Sequence, residues 1–359
     1  MAGIVDRVKR LFAPDPQVGP GTFVLWGPCS KSHGEVVPGY ARYLRDLGFE
    51  VLVLMTPARL DEGLFARFDE TGIRHGHMSQ SRIRRFVKRP ELRQAAGLLV
   101  TTAGKLPDAA NGAVDLDRVF GAERPERLLM VEHDVRARVD RGVWDPETIT
   151  LRTLDYKGAR SVVVNPHDFG RVEVTPKSEG RTIFVMIGAV RSKRGNAPLV
   201  YETAHRLLEA GETGFEIRVI GKPGKEPVPE ALRDHVTMLG RMSFDAMYDE
   251  VEAADFLLTS FQADNPDHAF YLTGGTSGAF QLAYGFTKPI IVQEAFARLN
   301  LFNATNALVY GEDQGLLGAM SRAIAMDGAS YAALQAGMEA TATALYERSL
   351  DNLRRLCFD

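Results

Sequence analysis

Short runs of aliphatic and β-branched residues alternate along most of the chain with segments of helical hydrophobic spacing. In the first half, five such runs predict strands: Phe23–Trp26, Val51–Met55, Leu98–Thr102, Leu128–Glu132 and Ser161–Asn165. A helix is predicted over Pro38–Leu47, between the first two strands, and Gly48 ends it. Strands that alternate with helices in this way predict a doubly wound parallel sheet.

The alternation restarts after Val174–Arg181, a polar segment with proline and glycine that is interpreted as a linker. The second half predicts strands at Thr182–Ile187, Phe215–Ile220, Val236–Leu239, Phe256–Ser260 and Ile290–Gln293, and helices at Ala197–Glu209 and Phe244–Ala253. Alanine-rich Tyr331–Leu356 predicts a long terminal helix or a helix pair. The pattern therefore predicts an α/β protein with two Rossmann-like domains.

These patterns suggest a division of the chain into five parts. The parts are an amphipathic N-terminal segment, 1–17, a first Rossmann-like domain, 18–173, the linker, 174–181, a second domain, 182–335, and a C-terminal helix, 336–359. A return of that helix to the first domain is one option. The chain of 359 residues is longer than one ordinary hydrophobic core requires, which agrees with two domains.

The composition, 45% hydrophobic and 25% charged, is that of a soluble globular protein. No apolar run is long enough to span a membrane, and charged residues interrupt the N-terminus where a signal peptide would be apolar. Cys29 and Cys357 are far apart and lack metal-ligand spacing, so we expect a reducing, cytoplasmic setting. No metal site and no nucleic-acid motif is predicted.

Two segments of the first half are basic and contain apolar residues. Residues 1–12 place apolar side chains on one helical face between basic ones, and residues 81–93 hold six arginines and lysines around Ile83, Phe86 and Val87. Residues 1–170 carry a net charge of +3, from 25 basic and 22 acidic residues. The ordinary interpretation is packing on the protein itself. The alternative is peripheral contact with an anionic membrane, on its inner face.

Loops that follow strands of the second domain contain residues suited to phosphate. In a parallel sheet, ligands bind beyond the carboxyl ends of the strands, where helix N-termini offer unpaired N–H groups. The stretch GGTSG precedes a helix, and it supplies Gly275, Thr276, Ser277 and Gly278 as candidate diphosphate ligands. The loop after Thr182–Ile187 supplies Arg191, Lys193 and Arg194 as countercharge. An ordinary turn with an N-cap is the alternative, but the cationic loop at the same edge favours phosphate.

The order of elements from Phe184 to Ala325 resembles the donor domain of GT-B glycosyltransferases and is most similar to glycosyltransferase family 4. The similarity covers about half of the chain. The matching pieces, in order, are Gly188 with Arg194-Gly195 for "G…KG", Val219–Gly221 with Gly224 for "IVG.G", Val236–Gly240 for "V.FLG", Ala254–Ser260 for "AD.L..PS", Gly285 with Pro289-Ile290 for "G.P.I" and Asn306–Leu308 for "N..L".

The resemblance implies a cleft between the two domains, with the acceptor side in the first and the nucleotide sugar in the second. It assigns nucleotide or sugar contacts to seven residues: Gly27, His33, Gly221, Lys222, Gly240, Arg241 and Tyr271. A histidine that follows a late strand of the first domain faces the donor sugar in this family, which makes His133 the candidate catalytic residue. A hydrogen bond within the loop is the alternative role for His133.

The chain departs from the family at two glutamates that touch the donor sugar and ribose. Their places fall near Thr273 or Gly274 and near Gln281 or Leu282, and none of these is acidic. Asp264, Asp267 and His268 are candidates to replace part of that function.

The expected function is therefore transfer of a sugar from a nucleoside-diphosphate sugar to a glycan or polyprenyl-linked acceptor, in bacterial cell-surface polysaccharide synthesis. The resemblance implies metal-independent transfer with retention, and no cofactor. Two alternatives remain: a nucleotide-sugar epimerase or hydrolase on the same scaffold, and a glycosyltransferase-like binding protein without catalysis.

Overall fold

The computed structural model describes residues 14–29, 33–106, 114, 116–121, 124–188, 196–222 and 227–359. These residues form two units. The first comprises the described part of Met1–Gly170 together with Tyr346–Asp359, and the second comprises the described part of Arg171–Leu345. The boundary between Gly170 and Arg171 lies a few residues before the segment interpreted as a linker.

The first unit is built on a five-stranded parallel sheet in the order β3-β2-β1-β4-β5. Its strands are β1 (Thr22–Trp26), β2 (Glu50–Met55), β3 (Ile73–His77), β4 (Gly97–Val100) and β5 (Leu128–Met130). β1 and β4 are buried along their whole length, because helices cover both faces of the sheet, and their sequences are correspondingly continuous apolar runs.

The described residues of this unit up to Gly170 form five short α-helices: α1 (Val37–Asp46), α2 (Pro57–Leu60), α3 (Gln80–Phe86), α4 (Leu116–Phe120) and α5 (Arg136–Asp140). Two further strands, β6 (Ile149–Thr150) and β7 (Val162–Val163), pair in parallel as a separate small sheet. Trp26, Phe86 and Phe120 belong to the hydrophobic core on one face of the main sheet. The other face is covered by α1, whose Tyr40 and Tyr43 are fully buried.

The second unit contains a six-stranded sheet in the order β10-β9-β8-β11-β12-β13, again with parallel pairing throughout. Its strands are β8 (Thr182–Ile187), β9 (Phe215–Ile220), β10 (Val236–Gly240), β11 (Phe256–Leu258), β12 (Ile290–Gln293) and β13 (Ala307–Tyr310). The predicted α/β fold class, with two Rossmann-like parallel sheets, is confirmed.

The helices of this unit are α6 (Ala197–Glu209), α7 (Phe244–Ala253), α8 (Ala269–Thr273), α9 (Gly278–Gly285), α10 (Glu294–Leu299) and α11 (Gly315–Ala325). The final helix, α12 (Gly328–Phe358), contributes residues to both units.

The start of the second unit is held by a buried lysine. The Lys288 ammonium donates to the carbonyl oxygens of Glu252, at 3.0 Å, and Ala254, at 2.5 Å, and to the Thr175 hydroxyl at 3.3 Å. Burial lowers the pKa of Lys288 to about 8.

The predicted strands Thr182–Ile187, Phe215–Ile220 and Ile290–Gln293 have the bounds that the structure shows. Strand β3 was not predicted, because three of the five residues of its sequence, IRHGH, are polar and no apolar run marks it. It lies at the edge of its sheet. Strand β13 was not predicted either. It is short and lies at one edge of the six-stranded sheet.

The last three turns of α12 are fixed to the rest of the first unit by polar contacts. The Asn165 N–H donates to Ser349 Oγ at 3.0 Å, and Asn352 Nδ2 donates to the Val163 carbonyl oxygen at 2.7 Å. Leu353 is fully buried beside them, and Cys357 is nearly so. This part of the helix is therefore part of the core of the first unit.

The basic segment 81–93 packs its apolar residues inside the protein. Ile83 and Val87 are fully buried and Phe86 nearly so, all in the core of the first unit. Arg84, Arg85 and Lys88 stay exposed on the opposite side. Residues 1–12 lie outside the described part of the chain. No helix among the described residues has the length and apolar character needed to cross a membrane.

Candidate functional site

The sheet of the second unit reverses its order between β8 and β11, which are neighbours although the chain visits two other strands between them. In doubly wound sheets, ligands bind outside the carboxyl ends of the two strands at such a point. Here the loop after β8 ends at Asn196, whose Nδ2 donates to the Ser260 carbonyl oxygen at 3.3 Å and to Gln262 Oε1 at 2.8 Å. The two loops at the reversal point are thus tied together.

Helix α9 begins at the same edge of the sheet, and Ser277 is its N-cap. Ser277 Oγ accepts a hydrogen bond from the Ala279 N–H at 3.3 Å. The N–H groups of Gly274 and Gly275 donate to the Phe270 carbonyl oxygen, at 2.9 and 3.1 Å, and so close the preceding helix α8. Of the four residues predicted to hold a diphosphate, Gly275 therefore has its N–H engaged within the protein.

The next three N–H groups differ from that of Gly275. Among the described residues, no carbonyl or side chain accepts from the amides of Thr276, Ser277 or Gly278. Thr276 and Ser277 are half-buried and Gly278 is exposed, so a ligand can reach these amides. Consecutive unpaired amides at a helix N-terminus are suited to bind an anion, since the helix dipole adds to their positive charge.

Gln281 lies in the first turn and a half of α9, where the family has an acid. Its side chain is 2% exposed, and its Oε1 has no hydrogen-bond donor in the described part of the protein. Helical side chains lean toward the N-terminus of their helix, so this amide lies toward the unpaired N–H groups. A buried polar group without a partner costs free energy, and a ligand that bonds to it would recover that cost.

An aromatic cluster surrounds Phe261, directly after β11. The Tyr271 ring centroid lies 4.5 Å from that of Phe261, and those of His268 and Phe296 lie 5.4 and 5.5 Å away. His268 is fully buried, and its Nδ1 accepts the Gln262 N–H at 2.9 Å. Asp264 and Asp267, the other two candidate substitutes for the family's glutamates, are exposed.

Strands β9 and β10 end at paired glycines. The Gly221 N–H donates to the Gly240 carbonyl oxygen at 2.8 Å, and both residues have positive φ, at 149° and 76°. A side chain other than hydrogen would be strained in these conformations. Lys222 and Arg241 follow them and are exposed, and neither forms an ion pair with a described residue. Two cations thus follow the ends of neighbouring strands.

The predicted countercharge loop cannot be placed in this site. Arg191, Lys193 and Arg194 lie outside the described residues. Lys222 and Arg241 are the predicted cations of this unit that the structure does describe, and their role toward an anion stays a prediction.

The first unit brings together two histidines that are far apart in sequence. His33 follows β1 and His133 follows β5, and their ring centroids lie 4.2 Å apart. Gly27, at the end of β1, donates its N–H to the Leu54 carbonyl oxygen at 3.1 Å, and a Cβ here would approach Met55 Cγ to 3.2 Å. These three residues were all predicted from the sequence, but their proximity was not.

Hydrogen bonding fixes the tautomer of His133. Its Nε2 lies 2.8 Å from the Thr101 carbonyl oxygen, and since a carbonyl only accepts, Nε2 carries the proton. Burial, and then the neighbouring His33, lower the pKa of His133 to about 4. Burial, and then Lys105, lower the pKa of His33 to about 4. Near neutral pH both rings are therefore uncharged, and Nδ1 of His133 is a hydrogen-bond acceptor.

Glu132, which precedes His133, holds this loop in place. Its Oε1 accepts the N–H groups of His133, at 2.9 Å, and Asp134, at 3.3 Å. Burial raises the pKa of the Glu132 carboxyl, although these two hydrogen bonds act in the opposite direction. From the sequence, Glu132 was predicted only as the last residue of a strand. Its burial next to a sharp turn is what gives it a positioning role.

In the described part of the chain, no three histidine, cysteine or acidic side chains are grouped so that they could hold a metal ion. Cys29 and Cys357 are both buried and unpaired.

Several solved structures are similar to this chain in fold. AviGT4, a glycosyltransferase involved in avilamycin A biosynthesis, is 14% identical with a TM-score of 0.58, and the alignment covers 94% of this chain and 98% of that one. HepE of Anabaena, in complex with UDP-glucose, is 13% identical with a TM-score of 0.58, covering 93% and 99%. The catalytic domain of Arabidopsis thaliana starch synthase IV, bound to ADP and acarbose, is 12% identical with a TM-score of 0.52, covering 94% and 100%.

No protein-family model matches the chain, and no curated protein matches it in sequence. Each match extends over nearly the whole of this chain and of the solved structure. The matches therefore concern both units and their order along the sequence. The fold is that of the GT-B glycosyltransferases, which confirms the resemblance found in the sequence at the level of fold.

Proposed function

We propose that this protein is a glycosyltransferase that moves a sugar from a nucleoside-diphosphate sugar to a glycan or polyprenyl-linked acceptor. The carrying observation is the row of unpaired amides at Thr276–Gly278, at the carboxyl edge of a GT-B sheet. The structural neighbours support this choice, since HepE is seen with UDP-glucose and starch synthase IV with ADP.

The chemistry of transfer needs stabilisation of the diphosphate as it leaves. Fixed N–H groups and cations can supply it without reorganisation. We assign the Thr276, Ser277 and Gly278 amides to this task, with Arg191, Lys193, Arg194, Lys222 and Arg241 as the cationic residues. The Gln281 amide then meets a hydroxyl of the donor, and the neutral His133 accepts a hydrogen bond from a sugar hydroxyl through Nδ1.

Transfer is proposed to be metal-independent and to retain the anomeric configuration. Turnover should then be unchanged by a chelator, and the product should have the same anomeric configuration as the donor by NMR. A rate that falls with a chelator would contradict metal independence. A product of inverted anomeric configuration would contradict retention. The proposed acceptor is a glycan or lipid-linked sugar of the bacterial cell surface, and the proposed location is peripheral, on the inner membrane face. Both proposals come from the sequence.

Titration calorimetry with UDP, ADP and GDP, followed by mass spectrometry of reactions with the corresponding sugars, tests the proposal. We expect one nucleotide to bind in the micromolar range, and its sugar to be transferred to an added acceptor. Conversion of the donor without acceptor would instead indicate an epimerase or a hydrolase. Binding without turnover for every acceptor class would indicate a non-catalytic protein.

The variant Arg194→Ala checks the placement of the diphosphate. It should weaken binding of the nucleotide by about tenfold, because a charge-assisted hydrogen bond is lost. Arg233→Ala is the control, since Arg233 is an exposed arginine of the same unit that lies 3.9 Å from Glu230. Equal affinities of the two variants would rule out the assignment of Arg194.

A further inference from the structure

The C-terminal part of α12 and the small sheet β6–β7 enclose a groove within the first unit. Its volume is about 420 Å³, which is in the range of small-molecule sites. The groove is lined by Glu147, Thr153, Ser161, Val162, Val163, Arg348, Asn352, Arg355 and Leu356. We call it the C-terminal groove. No residue of the candidate site described above belongs to it.

Two arginines face this groove from the same side of the helix. Arg348 and Arg355 are seven residues apart, which is two helical turns and about 10 Å along the axis. Both are exposed. Among the described residues, none forms an ion pair with either guanidinium, and Arg348 makes no hydrogen bond there. Arg355 donates one N–H to Asn352 Oδ1, which also lines the groove.

The other polar groups show what kind of ligand fits. Asn352 is fixed in the wall, because its Nδ2 donates to the Val163 carbonyl oxygen at 2.7 Å. The Thr150 hydroxyl donates to the Arg152 carbonyl oxygen at 2.9 Å, so in its 2.7 Å contact with Ser161 the Ser161 hydroxyl is the donor. The Thr153 hydroxyl has no described acceptor and is free to donate.

The groove therefore offers a positive charge and donors from three residues: the Arg348 guanidinium, the remaining N–H groups of Arg355 and the Thr153 hydroxyl. Two guanidinium groups face one carboxylate, that of Glu147, which is exposed and more than ion-pair distance from both. Arginine has five N–H donors in a fixed planar arrangement that matches phosphate oxygens, and two arginines on one helix face can converge on a single anion. The half-buried Val162 and Val163 add an apolar floor.

We propose that the C-terminal groove binds the phosphate group of a small molecule, at a site separate from the nucleotide-sugar site. The bound phosphate lies between Arg348 and Arg355, and Thr153 donates to it. A lipid headgroup carries the same chemistry, and the experiment below separates the two sources.

The test is arginine modification of the full-length protein by phenylglyoxal, with and without inorganic pyrophosphate. Mass spectrometry of the C-terminal peptide follows Arg348, Arg354 and Arg355 together. Arg354 is an internal control, because it forms an ion pair with Asp351 and does not line the groove. Saturating pyrophosphate should slow modification of Arg348 and Arg355 by about fivefold or more, and that of Arg354 by less than about twofold. Equal protection of all three, or protection of none, would overturn the proposal.

Variants give a second, independent readout. Arg348→Gln with Arg355→Gln should weaken pyrophosphate binding at this site by about tenfold or more, and Arg354→Gln should leave it unchanged. The variant Glu147→Gln should bind pyrophosphate more tightly, since a carboxylate that repels the phosphate is removed. A Glu147→Gln variant that binds less tightly would contradict the placement of the phosphate. These results do not depend on the proposed nucleotide-sugar site. If that site fails to bind a nucleotide, the expected results for the groove stay the same.

A parallel arm uses vesicles of phosphatidylglycerol in phosphatidylcholine. If vesicles protect Arg348 and Arg355 from modification, and pyrophosphate at the same phosphate concentration does not, the ligand is a lipid headgroup. Protection by pyrophosphate alone would identify a soluble phosphate compound.

Discussion

His133 is held by its neighbours in one orientation and one tautomer. The Thr101 carbonyl fixes the proton on Nε2, and the Glu132 carboxylate accepts the backbone N–H of His133 itself. The two contacts constrain the backbone and the ring of this residue separately, and they leave Nδ1 as the available atom.

The two half-buried histidines His33 and His133 make stability depend on pH. Their folded-state pKa of about 4 lies below the ordinary value of 6.5, so the unfolded chain binds more protons between these values. The free energy of unfolding should therefore fall as the pH drops from 6.5 to 4, by roughly 2–4 kcal/mol. Urea unfolding at a series of pH values measures it. His133→Gln should remove about half of this loss; a curve parallel to that of the unchanged protein would contradict the prediction.

Gln281 gives a prediction with a matched control. Gln281→Leu should leave the free energy of unfolding unchanged or raise it by up to about 1 kcal/mol, because an unpartnered buried oxygen is removed. Gln335→Leu should lower it by about 1–3 kcal/mol, since Gln335 Nε2 donates to the Thr175 carbonyl oxygen at 2.9 Å and that carbonyl would lose its partner. Sugar transfer should fall in the Gln281 variant alone. Equal losses of stability in both would show that Gln281 has a structural partner.

At the scale of elements, α7 and α9 begin in the same way but in different places. Ser243 caps α7 and Ser277 caps α9, and each accepts a backbone N–H at 3.3 Å. Helix α7 follows β10, at the sheet edge, whereas α9 follows β11, at the point where the strand order reverses. Both helices thus begin at a serine cap, and the topology distinguishes their surroundings.

The two caps can be compared directly. Ser243→Ala and Ser277→Ala should each lower the free energy of unfolding by about 1 kcal/mol, since each loses one capping hydrogen bond. Only Ser277→Ala should also weaken nucleotide binding, by about fivefold, because its hydroxyl lies at the proposed diphosphate site. Calorimetry and thermal unfolding give the two quantities. Equal nucleotide affinity in both variants would argue against a phosphate at α9.

At the scale of the whole molecule, the last residues of the chain complete the unit with which the chain begins. Tyr43 donates to the Asn165 carbonyl oxygen at 2.7 Å, and the Asn165 N–H in turn donates to Ser349 of α12. The core of the first unit thus contains residues separated by about three hundred positions. Such long-range contacts form only after a large loop-closure cost has been met. We expect them to make the C-terminus contribute to the stability of the first unit.

Leu353 and Cys357 test this dependence. Leu353→Ala should lower the free energy of unfolding of the first unit by about 2–5 kcal/mol, because a fully buried side chain leaves a cavity. Arg354→Ala, one residue away and exposed, is the control. Burial raises the pKa of the Cys357 thiol to about 12, so it should react slowly with a thiol reagent at pH 8. Faster reaction in the Leu353 variant, with no change in the control, is the expected result.

The sequence by itself determined the fold class, the strand-and-helix order and most of the candidate residues, because apolar periodicity and turn residues act within a few positions. Only the tertiary structure decided that His33 meets His133, that the Gly275 amide is used up within the protein while those of Thr276–Gly278 are not, and that Ile83 and Phe86 belong to a core. It also assembled the C-terminal groove from segments about two hundred residues apart. These features depend on which strands become neighbours, and that is set by the packing of the whole chain.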